Sequence, residues 1–98
     1  MTRTREQAIN EWHDKKWPDK DDRHVAAKLA EETGEVCGAF IKLVEGRRTI
    51  DDVQDEIGDV LIVLSVLAGR HGWTLEDLRT RRFIVVSHRH EPTALEDQ

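Results

Sequence analysis

A single cysteine, Cys37, is all the thiol chemistry in this chain of 98 residues. No internal disulfide can form, and nothing calls for an oxidising compartment. Long apolar runs are also missing. The longest, Val60 to Ala68, is interrupted by Ser65 and falls far short of the roughly 20 residues a membrane helix needs. The N-terminal stretch MTRTREQ is polar and lacks the apolar segment of a signal peptide, so a cytoplasmic protein with no membrane partner is expected. There is no cationic surplus either. The chain has 15 basic and 20 acidic residues, a formal net charge of −5. Nucleic acid is therefore not an expected partner, because phosphate-backbone binding needs a cationic face.

Proline is confined to positions 18 and 92, which leaves the middle of the chain free of helix breakers. Repeats, low-complexity linkers and composition shifts are absent, so one domain over 1–98 is expected. A domain of this size buries only about 60 to 70% of its unfolded surface, and part of its core could lie between subunits. Four helices read out between the punctuation. The first spans about Arg5 to Lys16, with Ala8, Ile9 and Trp12 as a narrow apolar stripe, and Trp17-Pro18 ends it. The second spans about Arg23 to Val44, capped by Asp21 or Asp22 and stopped near Gly46. The third starts at Thr49, with Asp52 three residues on as in a capping box, and ends at Gly72. Thr74 with Asp77 repeats that pattern and opens a fourth helix through Leu75, Leu78 and the 82–86 region. A polar tail follows from about 88. FIVVS, 83–87, is the one β-branched run, and with no partner strand it reads as helix. The expected fold is all-α, a four-helix-type bundle with short connections and antiparallel neighbours.

The stretch KLAEETGEV, 28–36, places Glu31, Glu32 and Glu35 beside residues that look buried. On a helical wheel of about 100° per residue, Val25, Leu29, Val36 and Leu43 fall within roughly 40° of one another, and Glu32 falls among them. Glu35 lies at the edge of that sector and Glu31 nearer the outside. Ala26, Thr33, Cys37, Phe40 and Val44 extend the apolar face the other way, which makes Cys37 a small buried hydrophobe. On the third helix Glu56 and Asp59 are neighbours at i, i+3 and continue the stripe of Val60 and Val63. An antiparallel hairpin across the 20-residue interval between Glu35 and Glu56 would bring the two pairs together. Bare, the four carboxylates would repel by several kcal/mol, of order 1–4 for each close pair. Oxygen-only ligation suits a hard divalent cation, and Mg²⁺ retains open positions for substrate phosphates. A solvated acidic face is the competing explanation, and the pattern alone leaves both open.

Glu31-Glu32-x-x-Glu35, followed by Glu56-x-x-Asp59, resembles the signature of the all-α NTP pyrophosphohydrolase superfamily, and most of all its MazG-like members. KLAEETGEV resembles that family's first metal helix, DEIGDVLIVL its second, and NEWHDKKWPD the N-terminal helix of small MazG-like proteins. The likeness covers roughly 5–80; FIVVSHRHEP lacks the basic, asparagine-bearing final helix of the family. The resemblance implies a single MazG-like helical domain that dimerises, sometimes into a dimer of dimers. It implies Mg²⁺-dependent hydrolysis (Mn²⁺ being an alternative ion) of a nucleoside triphosphate to the monophosphate and pyrophosphate. Glu32, Glu35, Glu56 and Asp59 would be the metal ligands, and Glu31 would orient or deprotonate the attacking water. A phosphoribosyl-ATP pyrophosphohydrolase and a non-catalytic helical dimer that binds a partner or regulatory metal are the alternatives.

His13, Lys16 and Trp17 could stack a base and hold a phosphate, or pack and solvate the end of the first helix. Lys28, one turn before Glu32, could touch a phosphate or pair with Glu31 or Glu32. Trp12 reads as core, and Trp73, following Gly72, as a plug of the bundle.

Overall fold

The computed structural model describes residues 2–90 and contains four helices, α1 (Arg5–Lys16), α2 (Asp22–Val44), α3 (Ile50–Arg70) and α4 (Leu75–His90). The all-α expectation is met. No strand occurs among the described residues, and FIVVS lies within α4. The polar segment expected from about 88 is still helical to His90, and 91–98 lie outside the described residues.

Each boundary has a local cause. Thr4 and Gln7 exchange side-chain and backbone hydrogen bonds at the start of α1, and Thr49 and Asp52 do the same at α3. These satisfy N–H groups that a helix N-terminus leaves without partners. Asp21 is the cap of α2, accepting from the N–H groups of Arg23 and His24. Gly46 and Gly72 have φ of 76° and 75°, a left-handed conformation that costs a glycine nothing. At both, the chain closes the helix with paired bonds, Gly46 to Leu43 and Arg47 to Lys42, then Gly72 to Gly69 and Trp73 to Ala68. This is the Schellman pattern.

α3 is the centre of the fold. α2 returns along it as a hairpin and α1 crosses it, while α4 packs little against the rest. The crossing is close. A Cβ built on Gly69 would lie 2.2 Å from the backbone oxygen of Glu6. Glu6 itself is buried, and its Oε2 accepts the N–H of Leu75 at 3.0 Å, which ties the entry of α4 to α1. Arg70, with its side chain only 14% exposed, joins the other ends. It donates to Asn10, to Asp14 at 2.8 Å, to Asp22 at 3.0 Å and to the Lys20 carbonyl. The Arg70 bond to Asp22, and the contact with His71, hold the Asp22 carboxyl below the usual carboxylate range.

The core of the single chain is thin. Val25, Ala39, Val53, Val66 and Ala68 are its buried apolar residues. Its radius of gyration is 17.3 Å, against about 13 Å for a compact domain of this length. Three expectations fail for this reason. Cys37 is exposed rather than buried, because α2 packs only its Val25–Glu32–Ala39 side on α3. Trp12 is 51% exposed rather than core. Trp73 does not plug the bundle; it is equally exposed and stacks on the His71 ring at 4.6 Å.

Candidate metal centre

The hairpin of α2 and α3 brings three of the four expected carboxylates together. Oxygens of Glu32, Glu35 and Glu56 all lie within 4.8 Å of one another. Glu32 and Glu35 share a face of α2 because three residues take a helix through most of a turn, and Glu56 meets them from the second turn of α3. Glu32 is buried, Glu56 half-buried and Glu35 exposed. The group thus opens to solvent on one side. Asp59, the next acid along α3, is exposed and stands outside the group. Glu31 is exposed at its edge.

Two cations lean on these acids. Lys28 Nζ is 3.3 Å from Glu32 and 3.5 Å from Glu31. Its pKa is raised first by the Glu32 hydrogen bond and then by the Glu31 charge. Arg48 Nη2 is 3.6 Å from Glu56. Neither satisfies the site. Glu32 Oε2 and Glu56 Oε2 are buried and without a hydrogen-bond partner among the described residues. A buried acceptor left in that state costs about 1–3 kcal/mol, more when charged. Two orphaned carboxylate oxygens beside a third carboxylate suit a hard divalent cation, which needs anionic oxygen ligands and tolerates an open side.

Beside the acids a cleft of about 520 Å³ opens between α2 and the start of α3. It is lined by Glu31, Glu35 and Glu56, by Gly34 and Gly38, and by Lys42 and Arg48, the last beside Glu56. Lys42, Arg48 and the two glycines line this cleft without being among the residues expected at the site. The signal was present in the sequence, since Glu31, Glu35, Gly38 and Lys42 recur at i, i+4, i+7 and i+11 and so share one face of α2.

Family membership follows from more than the acids. A family model, the MazG nucleotide pyrophosphohydrolase domain, matches residues 21–92. The chain belongs to the MazG family. The match takes in both acidic helices, and so the whole of the three-carboxylate group, within this MazG domain. Comparison with curated proteins and with solved structures gave no match.

The end of α1, before the matched segment, gathers the remaining expected residues. The His13 ring lies 5.1 Å from Trp17, and Trp12 meets Trp17 edge-on at 5.8 Å. Lys16 Nζ lies over both indoles, 5.2 Å from the Trp17 ring and 5.8 Å from Trp12. Asp14 accepts from or is paired with His13 Nδ1 at 3.0 Å and accepts from Arg70, fixing the imidazole's edge. Trp12 lines a shallow apolar groove with Ile9 and Ile62. Ile62 stands about 9 Å along the axis of α3 from Glu56.

Proposed function

We propose that this MazG-family chain hydrolyses nucleoside triphosphates to nucleoside monophosphate and pyrophosphate with Mg²⁺, or Mn²⁺ in its place, as cofactor. The observation that carries the reading is the pair of buried, unpartnered oxygens on Glu32 and Glu56 beside Glu35. Those three residues would hold the metal; Asp59, the next acid of α3, stands outside the group and would join it only by turning towards it. When bound, the cation would neutralise phosphate charge and make water more acidic. Glu31, exposed at the rim of the cleft, takes one proton as water oxygen bonds to the α-phosphorus. The bond from that phosphorus to the bridging oxygen breaks, and pyrophosphate leaves with the oxygen. His13, Trp17 and Lys16 present two rings and a cation to a base and its ribose phosphate. Lys28 keeps Glu31 and Glu32 in place through its paired contacts.

A panel of NTPs and dNTPs with Mg²⁺ tests this. The expected result is equimolar monophosphate and pyrophosphate, abolished by a chelator. Release of orthophosphate, or silence across the panel and with phosphoribosyl-ATP, would overturn it.

A second copy of the chain is proposed to complete the bundle, as a dimer or dimer of dimers. Phe40, Ile41 and Val44 on α2 and Ile57 and Leu61 on α3 are all exposed, more large apolar side chains than a single chain ordinarily leaves to water, which supports an interface. Sedimentation at micromolar concentration should give twice or four times the mass of one chain. A single-chain mass would remove the proposal.

A further inference from the structure

Along α2 the cleft changes from acid to base, and the metal centre explains only the acids. Glu31 and Glu35 stand at the acidic end, and Lys42 lies about 10 Å further along the axis of α2 from Glu35. Between them Gly38 leaves the helix bare, and a Cβ at Gly34 or Gly38 would meet no protein atom within 4 Å. The glycine surface is therefore open to a ligand and is not a packing requirement.

Arg48 reaches the same cleft from the turn before α3. Its nearest carboxylate contact, at 3.6 Å to Glu56, is too long for a hydrogen bond, so the pairing is ionic and loose. The guanidinium is two-thirds shielded, its side chain being 32% exposed, yet it donates no hydrogen bond among the described residues. Lys42 is half-buried and has no carboxylate partner among the described residues. Two shielded cations with free donors, lining one cleft with two bare glycines beside an acidic centre, suit a polyanion bound there. Arginine's planar fork suits phosphate oxygens in particular.

We propose that Arg48 and Lys42 hold the β- and γ-phosphates, the part of the nucleotide that leaves as pyrophosphate. This rests on the proposed pyrophosphohydrolase reading and assigns the polarity of the substrate in its cleft. The reacting phosphate lies at the Glu31 end and the leaving group at the α2–α3 turn. Arg48 exchanges its loose contact with Glu56 for phosphate oxygens when substrate binds, which frees Glu56 for the cation.

The test is calorimetric titration of the full chain with inorganic pyrophosphate and, separately, with the monophosphate product, both with Mg²⁺. Mn²⁺ affinity is read by electron paramagnetic resonance. Arg48→Gln should weaken pyrophosphate at least tenfold and Lys42→Gln several-fold. The monophosphate affinity should not change, and Mn²⁺ should bind Arg48→Gln as tightly as wild type or more so. Arg48→Lys keeps charge without the fork and should fall between, which provides a readout if the glutamine variant folds poorly. Wild-type pyrophosphate affinity in Arg48→Gln would overturn the proposal, as would equal losses for pyrophosphate and monophosphate. A wild-type protein that binds Mn²⁺ and hydrolyses the panel but ignores pyrophosphate sinks this inference alone. One that binds no Mn²⁺ sinks the reading beneath it.

Discussion

Glu32→Gln should reduce turnover on the order of 10³-fold or more while leaving the helices intact. Removing one ligand of a cation that stabilises transition-state charge forfeits several kcal/mol, and each 1.36 kcal/mol is about a tenfold change in rate. The same change should not weaken the metal-free fold. Glu32 is buried with its side chain 10% exposed, and among the described residues one oxygen has no partner and Lys28 is the one cation paired with it. Glutamine keeps the shape and removes an ion that is costly to bury. Melting without metal should therefore occur at the wild-type temperature or above. Added Mn²⁺ should raise the wild-type midpoint, because a ligand that binds only the folded state stabilises it by mass action, and should raise that of Glu32→Gln far less. Circular dichroism melts with and without Mn²⁺, run beside the activity assay, distinguish a ligand from a structural acid. Full activity in the variant, or a metal-free midpoint far below wild type, would remove Glu32 from the centre.

How much of this could be read from sequence depends on how many neighbours a helix has. α2 packs mainly on α3, so one stripe decides its orientation, and Val25, Leu29, Glu32 and Val36 fall on the covered side as the wheel requires. The wheel identifies which residues share a face but not what covers it. Cys37, Phe40 and Val44 share a face on the wheel and are nonetheless exposed in the single chain. The acids followed the same logic. Glu32 at the centre of the stripe, Glu35 at its edge and Glu31 outside it are found buried, exposed at the group and exposed at its rim. Asp59 was less legible, since a three-residue step turns the chain about 60° short of a full turn, enough to carry a short side chain off the meeting point.

Contacts made by long side chains between distant segments left no local trace. Arg70 binds Asn10, Asp14 and Asp22 across intervals of 60, 56 and 48 residues, and no periodicity within α3 encodes those partners. Capping was the opposite case. Thr49 with Asp52 and Thr74 with Asp77 act within one turn of backbone, and both helix starts were readable from spacing alone.

Gly69→Ala should be the most destabilising single-methyl change in the chain. Alanine ordinarily gains about 1 kcal/mol over glycine inside a helix, so propensity predicts a rise. Sterics oppose it with greater force. The new Cβ would sit 2.2 Å from the Glu6 carbonyl oxygen and 2.6 Å from its carbon, and both atoms belong to backbone that cannot rotate away. Overpacking a close-fitted site typically costs about 1–3 kcal/mol and occasionally more. Here relief requires the whole of α1 to lift from α3, which would also pull the Glu6 carboxylate from the Leu75 N–H. A net loss of about 3 kcal/mol is expected, roughly 12–24 °C in the melting midpoint of a domain this size. Gly34→Ala is the matched control. Its Cβ meets nothing within 4 Å, so propensity acts unopposed and the midpoint should rise by a few degrees. Thermal melts of the two variants in parallel measure the difference. Should Gly69→Ala melt with the wild type, the close crossing of α1 over α3 is not present in solution, and the placement of the His13–Trp17 cluster relative to the acidic helices goes with it.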